Sequence, residues 1–432
     1  MNIPWHDYVI SPDDVPATEA ALSEKASVVG RMGLIMLSCG TPAWRVRNAM
    51  TSAAQALGIA CSIDIGIVAL NFTCIEENES YTQSISLAGI SVNTYKLHGM
   101  ERFMVDFGEK CSSLSIDGIH SILDDIQKTP ETHSVAMLSF AAAFACAAIA
   151  FLLGARTAEI ICVFFAAGIG QLIRKLILKR NLSLVISIAL SSAAACAVYG
   201  ELIFLMQVLF NVPSDNGAGF ICSVLFLVPG FPFITSVLDL AKLDMRSGIE
   251  RLTYSGIVML VATAFAWVAS QVMGYESESL VGLGLPFALL LVLRIVASFI
   301  AIYGFSMMFN STHRMALTAA LVGTIPNVIR IELPQLLGIS SFISAFIGAF
   351  LVGLIAVIAV KKTSFPRITI TIPSVVIAVP GYFMYQSIYF FGTGEADDGV
   401  SALIKAGGIV FSIALGILFS RFISDPKFRH RD

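Results

Sequence analysis

The sequence predicts a polytopic α-helical membrane protein of about ten transmembrane helices, arranged as a 5+5 inverted repeat and preceded by a small α+β cytosolic domain. Three observations lead there. Hydrophobic residues make up 56% of the chain and charged residues 13%, against about a quarter charged in soluble proteins. The charge is also unevenly placed: residues 1–133 hold 8 Lys+Arg against 16 Asp+Glu, whereas residues 134–432 hold 19 against 14, between long uncharged stretches. Finally, Val228-Pro229-Gly230-Phe231 recurs as Val379-Pro380-Gly381-Tyr382, each in the middle of a long apolar segment, and Ser223, Val224 and Ser236 match Ser374, Val375 and Ser387 at the same offset of 151.

The N-terminal domain, 1–133, is read first. Residues 18–37 and 43–58 have helical character, joined at Gly40-Thr41-Pro42, with Pro42 near the start of the second helix, where its missing N–H costs nothing. Residues 60–73 and 80–88 alternate or are β-branched and predict two strands about the turn Glu76-Glu77-Asn78-Glu79. Helices follow at about 94–110 and 116–128, and Thr129-Pro130-Glu131 closes the domain. Met1-Asn2-Ile3-Pro4-Trp5 runs into acidic Asp13-Asp14 without a basic region and apolar core, so no signal peptide is expected.

Apolar runs long enough to cross about 30 Å of hydrocarbon lie at roughly 135–153, 158–176, 182–204, 219–240 and 252–272, then 285–309, 312–329, 341–360, 370–391 and 401–422. They define a first membrane half, 134–280, and a second, 281–432. With the N-terminal domain cytoplasmic, fifteen cations fall on the inner side, among them Arg174, Lys175, Lys242, Arg246, Lys361 and Lys362, and the tail's Lys427, Arg429 and Arg431. Only Arg156, Arg330 and Lys405 lie near the outer side, whose loops carry Asp215, Glu276 and Glu278. The positive-inside rule thus places both termini in the cytoplasm. Five spans per half make the second half enter from the opposite face, hence an inverted repeat. A second internal match, Ile169-Gly170-Gln171-Leu172-Ile173-Arg174 with Ile325-Pro326-Asn327-Val328-Ile329-Arg330 at offset 156, fits that inversion. It marks Gly168, Gly170, Gln171, Pro326 and Asn327 as further helix breaks or gating positions.

Proline removes a backbone donor and glycine weakens a helix, and at membrane depth the freed groups are tolerated only against protein or a watery cavity. Matched breaks in two halves are the sequence mark of a transporter's midplane binding site. The substrate is therefore expected between Pro229-Gly230 and Pro380-Gly381, where half-helix N-termini suit a carboxylate and unwound carbonyls an ammonium group. Thr235, Ser236, Gln386 and Ser387 lie about six residues beyond the breaks and could bind a substrate hydroxyl, or hydrogen-bond back onto their own helices. Arg294, deep in the sixth span, could hold the substrate carboxylate, pair with Glu201, or fix helix packing. Glu201 is a candidate proton carrier or a side chain that snorkels to the interface, and Asp239, near the cytoplasmic end of span 4, a second proton carrier, a gate or a helix cap.

Several classes are disfavoured. Eight cysteines without a Cys-x-x-Cys pair and six unclustered histidines argue against a metal site or disulfide framework. No nucleotide-phosphate loop, nucleophile elbow or His-Glu-x-x-His pattern occurs. No enzyme activity, cofactor or nucleic-acid partner is expected. A channel or uncoupled facilitator, or a membrane-anchored sensor or enzyme acting through the N-terminal domain, are the alternatives to a secondary active transporter.

Two stretches carry a resemblance to a known family. Gly40-Thr41-Pro42-Ala43-Trp44-Arg45-Val46, and Leu227-Val228-Pro229-Gly230 followed by Asp239 and Ser247-Gly248-Ile249-Glu250-Arg251-Leu252, resemble the threonine/serine exporters. The two-part layout is similar too, and the resemblance covers nearly the whole chain, being weakest in spans 6–10. Arg47 departs from the family pattern, which is usually acidic there. The resemblance implies export of L-threonine and L-serine across the bacterial plasma (inner) membrane, with protons as coupling ion. The oligomeric state is left open, a homo-oligomer included.

Overall fold

In the computed structural model of the protein, the structure describes residues 3–111, 113–180, 182–211, 217–274, 284–425 and 428. Asp215, Glu276, Glu278, Lys427, Arg429 and Arg431, and the boundary placed between residues 280 and 281, lie outside the described residues. The chain forms two compact units: Met1–Thr132 together with Thr235–Thr253, and His133–Ile234 together with Tyr254–Asp432.

The first unit contains α1 (Leu22–Ser38), α2 (Ala43–Ala56), the strands β1 (Ala60–Ile65), β2 (Ala69–Glu76) and β3 (Glu79–Ser86), then α3 (Thr94–Val105), the single turn α4 (Phe107–Lys110) and α5 (Ile116–Lys128). The strands form one antiparallel sheet in sequence order. The β2–β3 turn is a two-residue hairpin with Glu77 at φ 51°, the positive φ that such tight hairpin turns require. The stretch 60–73, read as one strand, is instead two: Gly66 folds back, its N–H donating to Ala69 O at 2.8 Å, so that β1 and β2 pair with each other. That turn has no proline, asparagine or aspartate to announce it, and the alternation runs on through Ile67 and Val68. Leu70, Phe72 and Cys74, one face of β2, are buried.

Helix starts in this unit follow from side-chain caps. Asn93 accepts from Lys96 N before α3, and Ser115 from Gly118 N before α5, each satisfying a donor that a helix leaves unpaired. Buried Glu24 opens α1 with a saturated carboxylate, accepting from the N–H groups of Ile10, Ser11 and Ala21 and from the Ser11 hydroxyl. Burial of that side chain raises its pKa, but the Ser11 hydroxyl and the three N–H groups together outweigh this and hold it below the ordinary value. His120, fully buried, sits between α5 and α1. Arg31 Nη1 donates to its Nδ1 (3.3 Å) and to its own carbonyl (3.0 Å), so its proton is on Nε2 and is donated to Ser27 Oγ (2.9 Å). Burial, and then the Arg31 guanidinium and His6, push its pKa down to about 4.

The second unit is helical: α6 (Val135–Leu152), α7 (Thr157–Lys179), α8 (Leu184–Phe210), α9 (Gly217–Cys222), and α10 (Gly230–Ala241), which runs out into the first unit. Then come α11 (Met245–Met273), which starts in the first unit, α12 (Phe287–Met308), α13 (His313–Leu337), α14 (Ser341–Thr363), α15 (Arg367–Val376), α16 (Gly381–Thr393) and α17 (Ala396–Ser424). Among the described residues eight helices are long and apolar enough to cross a bilayer, or up to ten if each of two bent pairs counts as one span. The protein is therefore a multi-pass membrane protein. Hydroxyl caps recur at its helix starts: Ser134, Ser183, Thr312 and Ser340 each accept from an N–H three residues on. Small residues let the helices approach, as membrane packing favours; Ala142, Ala145, Ala166 and Ala195 are fully buried in one core cluster. α7 runs unbroken through Gly168 and Gly170, and α13 through Pro326. Glycine costs a helix only about 1 kcal/mol, and the single bond lost at a proline can be absorbed in a membrane helix by its neighbours.

Candidate functional site

The two Pro-Gly sequences break their spans in the same way. α9 ends at Cys222, a short 3-10 turn covers Leu225–Leu227, and α10 starts afresh at Gly230, bent by 62°. α15 ends at Val376 and α16 starts at Gly381, bent by 47°. In the first, Gly230 N donates to Val228 O at 2.8 Å; in the second, Gly381 N donates to Val379 O at 2.9 Å. Both are three-residue turns centred on a proline, and Pro380 at φ −83°, ψ 57° has the inverse γ-turn geometry. The next helical bonds match as well, Phe233 N to Pro229 O and Met384 N to Pro380 O, both at 3.1 Å. The sequence repeat is thus a repeat of backbone geometry.

The breaks also pack on each other. A Cβ added to Gly230 would come within 2.2 Å of Val376 Cγ2, and one added to Gly381 within 2.6 Å of Leu225 Cδ2. Beside them is a cavity of about 120 Å³ lined by Leu225, Val228, Phe305, Arg330 and the run from Val376 to Phe383. About 10–15 Å³ of such space admits one water, so it has room for a cluster of waters or a small solute. Among its lining side chains only Tyr382 and Arg330 carry polar groups.

Other sequence-predicted residues fall in different places. Gln386 donates to Tyr382 Oη at 2.8 Å, which ties it to the cavity wall. Ser387 is buried, and its hydroxyl has no hydrogen-bond partner among the described residues. Arg294 is buried in α12 and pairs with Glu332 at 2.5 Å and Gln335 at 3.0 Å, both on α13, and not with Glu201. Glu201 is exposed on α8. Gly170 packs on the Phe226 ring, Gln171 is buried, and Asn327 links Ser298, to which its Nδ2 donates at 2.8 Å, to Arg330.

Thr235, Ser236 and Asp239 belong to the first unit and are fully buried. Asp239 accepts from Ala43 N (2.8 Å) at the start of α2 and from Ser247 Oγ (3.1 Å), and lies 3.3 Å from Arg251 Nε. Arg251 in turn donates to the carbonyls of Gly40 (3.1 Å) and Thr41 (2.7 Å) and to Thr235 Oγ1 (3.4 Å). A carboxylate at the N-terminus of α2 and a guanidinium on the carbonyls just before it compensate each other's desolvation. Arg47, the odd residue of its stretch, pairs with Asp244 and donates to Ile63 O. So two stretches about two hundred residues apart in sequence, 40–47 and 235–251, fold into one polar cluster.

A family model described as threonine/serine exporter (ThrE) matches residues 27–273, and a second, also threonine/serine exporter (ThrE), matches 294–423. The chain belongs to the threonine/serine exporter family. Among curated proteins it is similar to the "Probable succinate transporter subunit YjjP" of Escherichia coli K12, 24% identical over 243 residues, which is 56% of this chain and 92% of that protein. The protein of the same name from Klebsiella aerogenes is 24% identical over 248 residues, 56% of this chain and 90% of that one. No solved structure matches.

Two site features escaped the sequence. The seventh apolar run, read to residue 329, leaves Arg330 beyond its end near the outer side, whereas α13 continues to Leu337 and takes in Glu332 as well. The signal was there in Ile331, Leu333, Leu336 and Leu337, which carry the apolar run past the charges. Arg174 is the repeat-mate of Arg330 and donates to the carbonyl of Phe226 at 3.4 Å, in the turn of the first break. Arg174 thus bonds to the turn of the first break, and Arg330 lines the cavity beside the second.

Proposed function

We propose that the protein is a secondary active transporter that exports small polar amino acids, L-threonine and L-serine, coupled to the proton motive force. The observation that carries this is the facing pair of γ-turn breaks with its cavity. Unwound backbone at membrane depth offers N–H and C=O groups to a zwitterion without the desolvation that a side-chain ion pair would need. The reading includes three parts, 1–133, 134–280 and 281–432, with the membrane halves related as a 5+5 inverted repeat and both termini cytoplasmic by the positive-inside rule. Pro229, Gly230, Pro380 and Gly381 frame the substrate; Gln386 and Ser387, with Thr235 and Ser236, are its hydroxyl-side candidates. Gly168, Gly170, Gln171, Pro326 and Asn327 are gating candidates, and Glu201 and Asp239 candidate proton carriers. Arg294, engaged by Glu332, is assigned to substrate only where that pair opens.

A second reading is favoured by one observation. The relatives are named as subunits of a succinate transporter, which makes a dicarboxylate the competing cargo. Both cargoes have a carboxylate. The test is efflux from proteoliposomes loaded with labelled L-threonine, L-serine or succinate, with and without an imposed pH gradient. Amino-acid efflux that follows the gradient is the expected result. Succinate flux alone would move the substrate class, gradient-independent flux would make the protein a facilitator, and no flux of any of the three would overturn the reading.

A further inference from the structure

The cavity at the second break has one permanent charge on its wall, Arg330. We infer that Arg330 is a carboxylate anchor, whose free guanidinium edge takes the carboxylate of a small solute entering beside Pro380-Gly381. This rests on the transport reading above and names the group that would recognise its cargo.

The geometry argues for it in three steps. Arg330 Nε and Nη2 both donate to Asn327 Oδ1, at 3.1 and 3.0 Å, and Asn327 is itself held by Ser298. That engages one edge of the planar fork and fixes its direction. The edge formed by Nη1 and the second Nη2 proton makes no hydrogen bond among the described residues, and two parallel N–H groups are the shape that a carboxylate accepts in a bidentate way.

Second, Arg330 has no carboxylate partner among the described residues, whereas Arg294 of α12 has Glu332. An unpaired cation at this depth is costly, and such residues mark substrate or ion pathways. Its repeat-mate Arg174 is turned to a protein carbonyl, Phe226 O. The two matched arginines therefore differ: Arg174 is bonded to the first break, and Arg330 lines the cavity beside the second with one guanidinium edge unbonded.

Third, the residues that complete the wall, Gly381 to Phe383, are the first turn of the thirteen-residue helix α16. Its dipole adds positive potential on the side where the guanidinium stands. Apolar walls from Leu225, Phe305 and Val376 lower the local dielectric and strengthen the attraction.

The experiment uses full-length protein in proteoliposomes and the arginine reagent phenylglyoxal, with the adduct on Arg330 measured by peptide mass spectrometry. L-serine, L-threonine and succinate are the probes, and L-serinamide, which lacks the carboxylate, is the control. Protection of Arg330 by one or more carboxylates and not by the amide is expected, and the carboxylate that protects at the lowest concentration distinguishes an amino-acid from a dicarboxylate site. Arg330→Gln is expected to weaken binding of that solute by about tenfold or more, the loss of one charge-assisted pair, and to abolish the preference for acid over amide; Arg330→Lys restores part of it. Equal protection by L-serinamide, no protection by any carboxylate, or an Arg330 that never reacts would each overturn the inference. Protection without flux in the transport assay would refute the transport reading and leave the anchor standing.

Discussion

Replacing Arg251 by methionine keeps most of the side-chain volume and removes the guanidinium from a site where it is 3% exposed and its partner Asp239 is 0% exposed. Removing one member of a buried pair leaves the other charge uncompensated, which costs about 3–5 kcal/mol. The carbonyls of Gly40 and Thr41 also lose their donor, so the upper end of that range is expected. Hydrogen exchange of α2 amides in the purified full-length protein reads the loss directly. A cost of about 3–5 kcal/mol speeds exchange by opening roughly 100- to 4,000-fold, at about 1.4 kcal/mol per decade. Asp239→Asn keeps one acceptor for Ala43 N–H and is expected to cost less. The decisive comparison is the double variant Asp239→Asn with Arg251→Met, which has no buried charge left at either position and should exchange more slowly than Arg251→Met alone. If the two single effects simply add, the residues are not coupled. The account of the cluster would then be wrong.

Three other outcomes follow from the same structure. Gly230→Ala places a methyl 2.2 Å from Val376 Cγ2 and should destabilise by about 1–3 kcal/mol; thermal unfolding should show recovery when Val376→Ala is added, and no recovery would mean that the breaks do not touch. Glu332→Gln leaves Arg294 unpaired, a loss of about 3–5 kcal/mol visible as a lower melting temperature in detergent, whereas Glu201→Gln on the exposed face of α8 should leave melting unchanged. His120 binds its proton more weakly in the folded state, at about 4, than in the unfolded chain, at about 6.5. The stability of the first unit should therefore be full above pH 6.5 and fall as the pH drops toward 4, by up to about 1.4 kcal/mol per pH unit. His98 is held down by burial in the same direction, so the check is a shallower slope in His120→Gln than in wild type across pH 6.5 to 5.

The long apolar runs were readable because hydropathy over about twenty residues leaves few alternatives, and the Pro-Gly breaks because proline and glycine act on the backbone wherever they occur. What stayed hidden was local. Gly66 alone divides two strands that alternation joins, and Arg330 and Glu332 look like a helix end when charge is used to mark where a span stops. The partners of Arg294 and Asp239 were hidden for another reason: Glu332 and Ala43 N–H are 38 and 196 residues away, and composition does not report which distant side chains meet. Arg47 shows the same limit. Taken as a departure from the family pattern, it is accommodated by Asp244, so the unusual charge has a neighbour to match.

The first unit is discontinuous in the chain, since residues 235–253 complete what residues 1–132 begin. A ribosome makes these pieces in order, with residues 133–234 between them, which takes roughly 5 to 20 seconds at ordinary synthesis rates. During that interval the start of α2 has no Asp239 to accept its Ala43 N–H, and the carbonyls of Gly40 and Thr41 have no Arg251. The part of the protein that leaves the ribosome first is therefore finished only after the first spans have been synthesised.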